Sequence, residues 1–146
     1  MIYYSQNAGQ NCIGIERLIV HSSQYEELYA LLVERSKKLR LGAVLAPSPG
    51  DGFVHTVDCG SMIDSTRFND LERNIRLAQQ QGAQVEGGHR YVHPYHEDGC
   101  YFGPAVVGDA KSDSEIAQNE RKCLCTLSPF CVVNHCANQN LRLLLC

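Results

Sequence analysis

The sequence contains no run of about 18 apolar residues, so it encodes no stretch long and apolar enough to cross a bilayer as a helix. Its start, MIYYSQNAGQNC, lacks a basic region followed by an apolar one, and no secretory signal is expected there. No Cys-x-x-Cys pair occurs, which leaves a thiol–disulfide exchange role without its usual motif. Positive charge is not in excess either. Lys and Arg total 13 against 16 Asp and Glu, a net charge of -3, whereas phosphate binding needs clustered positive charge. Nucleic acid is therefore not an expected partner. No internal repeat is visible. What remains is a 146-residue chain, 44% hydrophobic and 20% charged, with the composition of a soluble globular domain large enough for a real core.

The eight cysteines are unevenly spread: Cys12, Cys59 and Cys100 stand far apart, and Cys123, Cys125, Cys131, Cys136 and Cys146 crowd the end. Without a secretory signal, the expected setting is a reducing, cytoplasmic one, where cysteines are thiols, metal ligands or nucleophiles. Charge divides at the same place. All 16 acidic residues lie in residues 1–120, and residues 121–146 carry only Arg121, Lys122 and Arg142. The expected organisation is a domain over 1–120 and a Cys-rich tail over 121–146.

Hydrophobic periodicity places the elements. Residues 15–20, IERLIV, read as a strand. Ser23 with Glu26 has capping-box spacing, and Tyr25, Leu28, Tyr29, Leu32 and Val33 recur on one helical face. The basic residues Arg35, Lys37, Lys38 and Arg40 suit the far end, so a helix is predicted over 24–39, with Gly42 ending it. Residues 43–60 read as a loop. A second helix is predicted over 65–81, capped by Asp64 or Ser65, with Phe68, Leu71, Ile75 and Ala78 as its buried stripe and Gly82 as its stop. Residues 83–86 alternate like a strand, residues 89–100 read as a polar, turn-rich loop, and 101–107 as a strand interrupted by Gly103 and Pro104. Strands alternating with amphipathic helices point to an α/β layered fold.

The strongest chemical candidate is Cys12 in Gly9-Gln10-Asn11-Cys12, ahead of the first strand. A cysteine behind a glycine can sit beside exposed backbone N–H groups, which lower a thiol pKa and bind an oxyanion. Taken alone, these residues fit a buried small hydrophobe better than a nucleophile.

The wider string NAGQNCIGIERLIVH resembles the catalytic-cysteine segment of the aldehyde dehydrogenase superfamily. Two further blocks follow in that family's order. GSMIDSTRFNDLERNIRLAQQQGAQVEGG is similar to its helix ending in Gly-Ala and Gly-Gly, and GCYFGPAVVGDAKSDSEIAQNE to its Gly-x-(Tyr/Phe)-x-x-Pro strand and the acidic stretch after it. Together they cover residues 6–120. The connection LGAVLAPSPGDGFVHTVDCGSMID looks most like that of fungal members.

The resemblance implies a partial α/β catalytic domain over 1–120 and oxidation of an aldehyde to a carboxylic acid with NAD or NADP. The Cys12 thiolate would attack the aldehyde carbonyl, its backbone N–H holding the oxyanion of a thiohemiacetal that passes to a thioester. Glu120 matches a residue that in the family contacts the nicotinamide ribose; a solvated surface glutamate is the other reading. The sequence departs from the family after Glu120, where Arg-Lys-Cys-Leu-Cys follows, and at Ser5, where the family has an aromatic or aliphatic residue. The oxyanion Asn, the general-base Glu, the nucleotide-binding domain and the terminal strand used to form homo-oligomers have no counterpart here. The chain alone is therefore expected to be inactive.

Three weaker features complete the reading. His89, His93, His96, Asp98 and Cys100 read as members of a solvated loop and not as a metal site. Arg67 stands on a helix that lies near cofactor in the family, or is an exposed helix arginine. Cys123, Cys125, Cys131, His135 and Cys136 could close a tetrahedral zinc site, but at a spacing that matches no known module. The expected metal is none. The alternative function is a non-catalytic fragment or a small metal-binding or interaction module.

Overall fold

The computed structural model of the chain describes residues 6–10, 18–43, 47–48, 52–53, 57–111, 113–118, 130–135 and 141–145. The first apolar run forms strand β1, Leu18–His21, and leads directly into helix α1, Ser22–Lys37. The helix begins before the Ser23–Glu26 box would start it, because His21 takes the capping role. Its ring Nδ1 accepts from the Ser23 backbone N–H at 3.3 Å and lies 2.8 Å from the Ser23 hydroxyl, satisfying an otherwise unpaired donor of the first turn.

The helix also stops short of Leu39, and Gly42 is not its terminator. Lys38 and Leu39 N–H groups bond back to Arg35 and Ser36 carbonyls, and the chain is then drawn off at Arg40. Asp58 Oδ2 accepts from the Arg40 backbone N–H (3.0 Å) and from its guanidinium Nε (2.7 Å), while Nη2 donates to Oδ1 (3.1 Å). Leu41 and Cys59 form a parallel bridge beside this clamp. The excursion between, expected as a loop, holds a two-residue antiparallel pair, β2 (Pro47–Ser48) and β3 (Gly52–Phe53).

Helix α2, Phe68–Gln80, buries Phe68, Leu71, Ile75 and Ala78 as the periodicity required, and Asn74 with them. Asp64 does not cap the helix itself. It accepts from the backbone N–H of Thr66 (2.8 Å) and from its hydroxyl, shaping the turn just ahead. At the far end Gly82 has φ +93°, and the Gly82 and Ala83 N–H groups return to the Gln79 and Ala78 carbonyls, ending the helix.

A long bent ribbon follows. Strands β4 (Gln84–Gly87) and β7 (Ala105–Ala110) pair antiparallel, and between them β5 (Arg90–His93) and β6 (His96–Phe102) form a hairpin. The polar, turn-rich loop expected over 89–100 is this hairpin. The interrupted strand expected over 101–107 is two strands separated at Gly103-Pro104. The bend carries its own hydrogen bonds, Gly88 N–H to Pro104 O (3.1 Å) and Gly103 N–H to His89 O (2.8 Å). It needs glycine opposite Pro104. Gly87 has φ +78°, and a Cβ there would stand 2.2 Å from the Pro104 carbonyl oxygen.

The main sheet has the order β1-β9-β8-β7-β4, with β8 at Phe130–His135 and β9 at Leu141–Leu145. Strand β8 runs parallel to β7, and β9 is antiparallel to both β8 and β1. A short helix α3, Glu115–Gln118, follows β7. Alternation along β7 separates the two layers. Val106 packs with Val20 and Tyr25 under α1, whereas Ala105 joins Phe68, Leu71 and Ile75, and Val107 joins Ala78 and Ile116. Helices α1 and α2 thus cover opposite faces of a mixed sheet, which is the α/β layering expected. An unrelated Cys-rich tail gains no support, because residues 130–135 and 141–145 enter the same sheet as the rest of the chain.

Candidate active site

The segment leading to Cys12 is the best-defined part of the candidate site. Residues Gln6–Gly9 form one short turn in which Asn7 (φ 54°, ψ 41°) and Ala8 (φ 55°, ψ 33°) are left-handed, followed by Gly9 at φ 77°. Two non-glycine residues in this region carry backbone strain of about 1–2 kcal/mol each, held only where the surroundings over-determine them. Here they do. Ala8 is buried in the cluster formed by Met62, Phe68, Leu71, Ile75, Phe102 and Ala105. Asn7 Nδ2 donates to the Gln10 carbonyl (3.0 Å), and the Gln10 N–H donates to the Asn7 carbonyl (2.9 Å).

Gln10 is tied to the body of the fold by its side chain. Its Oε1 accepts from the Ile63 backbone N–H at 3.0 Å, across 53 residues of sequence. The neighbouring Met62 N–H donates to the Cys100 carbonyl of β6 at 2.8 Å. Residues 62 and 63 thus bridge the hairpin to the turn that precedes Cys12. Sequence reading missed Ile63, since an isoleucine with four-fifths of its surface exposed gives no pattern; its backbone carries the contact.

The platform beneath is held by Arg90. Its Nε and Nη2 reach Glu72 at 2.7 and 3.2 Å, Nη2 also donates to Asn69 Oδ1, and its guanidinium lies 5.5 Å from the Phe68 ring centre. Phe68 in turn packs against Phe102 with centroids 5.2 Å apart.

Cys12 and Glu120 lie outside the described residues, as do Cys123, Cys125 and Cys136 and the side chains of Cys131 and His135. Of the remaining candidates, Arg67 stands at the N-cap position of α2 and pairs with Asp70 at 3.3 Å. His93 and His96 face each other across the hairpin turn with ring centres 4.8 Å apart, His93 Nδ1 accepting the Tyr95 N–H at 3.2 Å. Among the described residues, no group of three or more His, Cys, Asp or Glu is arranged to hold a metal ion. No helix among them is long and apolar enough to cross a membrane.

A dinucleotide's pyrophosphate fits where a glycine-rich turn presents free N–H groups at a helix start. The β1–α1 junction, Val20-His21-Ser22, has no glycine, and the His21 ring already occupies the Ser23 N–H. The β1–α1 junction therefore offers no cradle for the pyrophosphate of NAD or NADP.

Comparison with known proteins agrees with the sequence resemblance. The model of the aldehyde dehydrogenase family matches residues 3–138. The chain belongs to the aldehyde dehydrogenase family. An aldehyde dehydrogenase-like protein of Saccharomyces cerevisiae is 39% identical over 118 residues, covering 79% of this chain and 17% of its own length. One from Schizosaccharomyces pombe is 40% identical over 116 residues, covering 79% and 21%. Among solved structures, PnpE in complex with nicotinamide adenine dinucleotide superposes with a TM-score of 0.67 at 25% identity, covering 88% of this chain and 24% of that one. An NADP-dependent enzyme of E. coli gives 0.65 at 26%, covering 88% and 23%. The chain spans about a fifth of the length of the curated aldehyde dehydrogenase relatives it matches.

Proposed function

We propose that these residues carry the nucleophile of an NAD(P)-dependent aldehyde dehydrogenase, with Cys12 as the attacking thiol and an aldehyde as substrate. The observation that carries the reading is the strained, doubly anchored Asn7–Gln10 turn in the family-matched segment directly ahead of Cys12. The thiolate sulfur forms a bond to the carbonyl carbon while the C=O pair moves onto oxygen. The backbone N–H of Cys12 then donates to that alkoxide. One such donor is worth about 10²–10³-fold in rate. NAD or NADP, when bound, would supply the hydride acceptor, and Glu120 would contact its ribose. We assign neither a general base nor a dinucleotide cradle within residues 1–120, which we read as a partial catalytic domain in a soluble, cytoplasmic protein.

The test needs no cofactor. In the 146-residue chain, Cys12 is expected to react with iodoacetamide faster than Cys59 and Cys100, and excess aldehyde is expected to slow Cys12 alone by occupying the thiol. Equal labelling of the three cysteines, unaffected by aldehyde, would sink the reading.

A further inference from the structure

Gln10 is immobilised at every polar backbone atom and at its side-chain carbonyl: its N–H and C=O both bond to Asn7, and its Oε1 accepts from Ile63. The Ile63 N–H is aimed at this acceptor by its neighbour, because the Met62 N–H is fixed to β6 through the Cys100 carbonyl. Met62 itself is buried in the same cluster as Ala8, so the two sides of the Gln10–Ile63 bond rest on one core. Ile63 is mostly exposed, and its side chain adds little to this arrangement. Chain geometry allows at most about 7 Å between Gln10 and the residue two positions later. Gln10 is thus a fixed point of the fold two residues ahead of Cys12 in the sequence.

We propose that Gln10 is a positioning residue for Cys12, acting through its hydrogen bond from the Ile63 backbone N–H. The proposal rests on the reading of Cys12 as the nucleophile. A thiol is activated by backbone N–H groups only while it is held against them, so loss of the Gln10 tether would slow a Cys12 activated in that way.

The bond can be cut from either side. Gln10→Ala removes the acceptor, Ile63→Pro removes the donor, and Ile63→Ala keeps the donor while deleting the side chain. The readout is the rate of iodoacetamide modification of Cys12 against pH, by peptide mapping of the 146-residue chain. Cys100 serves as reference thiol, and the buried Cys59 as reporter of general opening. Gln10→Ala and Ile63→Pro are each expected to slow Cys12 about fivefold near neutral pH and to move its profile to higher pH. The double variant should be no slower than either single one, because both remove the same bond. Ile63→Ala should leave Cys12 unchanged. Cys59 should not accelerate in any of them. If Cys12 is fast in the parent chain and stays fast in both bond-cutting variants, Gln10 does not position it, although the nucleophile reading stands. If Cys59 accelerates as Cys12 slows, the bond is merely structural and the proposal fails. If Cys12 is no faster than Cys100 in the parent chain, the nucleophile reading falls and takes this one with it.

Discussion

The two long helices cover opposite faces of β7, and they are held in opposite ways. Helix α2 buries five side chains and has no side-chain cap, so packing keeps it in place. Helix α1 buries only Tyr25 and Ser36 and leans on its ends, with the His21 ring at one and the Arg40–Asp58 clamp just beyond the other. The difference matters for the site. Ala8, the inner anchor of the turn before Cys12, belongs to the α2 cluster and not to that of α1. Damage under α2 should therefore reach the site, while damage under α1 should remain local.

The largest effect is expected from Phe68→Ala, which empties the contact between α2, Phe102 and Ala8. Removing a buried phenylalanine costs about 3–5 kcal/mol, and urea unfolding should show a loss of that size or no cooperative transition at all. A transition within about 1 kcal/mol of the parent's would contradict the packing account of α2. Next is Gly87→Ala at the ribbon bend, where φ +78° and the Pro104 carbonyl oxygen both oppose a Cβ. About 2–3 kcal/mol of destabilisation is expected by the same measurement.

On the α1 side the expected effect is smaller. Tyr25, fully buried, accepts the Asp109 N–H at 2.9 Å through its hydroxyl, where the strand bends at φ +53°. Tyr25→Phe leaves that N–H without its acceptor and should cost about 1–2 kcal/mol, with Cys12 alkylation unchanged. A changed Cys12 rate in this variant would show that the two faces are coupled.

The smallest effect concerns pH. Hydrogen bonds from the Arg40 guanidinium and backbone hold the exposed Asp58 carboxyl at about 2, below its ordinary 3.8. A depressed carboxylate pKa means the unfolded state binds the proton more readily, so this contribution is present above pH 3.8 and lost as pH falls toward 2. Asp58→Asn should flatten stability against pH in that window and nowhere else. An unchanged acid limb in differential scanning calorimetry would show the clamp to be energetically silent.

Much of this arrangement was legible in the sequence, for physical reasons that differ by element. The stripe Phe68, Leu71, Ile75, Ala78 was readable because a packed helix needs an apolar face at that spacing. Asn74 on the same face was not. It is buried, its side-chain oxygen has no partner among the described residues, and a polar residue in a stripe reads as the edge of one. The β5–β6 hairpin was missed because Arg90, His93, His96, Glu97 and Asp98 give its strands no apolar alternation. Its sides are aromatic and ionic instead, with Tyr91, His93 and Tyr101 in ring contact and Arg90 tied to Glu72. The capping box at Ser23 lost to a histidine, a residue whose ring nitrogen can accept as a serine hydroxyl does. Of the candidate site, the resemblance pointed to Cys12, but the Ile63 contact depends on a backbone group and leaves no trace in residue type.

The pairing of Leu18 with Leu144 and of His21 with Leu141 sets an order of events during synthesis. A ribosome releases residues 18–21 long before residues 141–145, so β1 leaves the exit tunnel more than a hundred residues ahead of its sheet neighbour β9. The β4–β7 ribbon, joined by a tight hairpin, closes from contacts near in sequence and is free to form early. Through that interval β1 stands as an unpaired apolar edge, open to the same edge on a neighbouring nascent chain. Association during translation would then begin at residues 18–21, at the strand that directly follows the segment carrying Cys12.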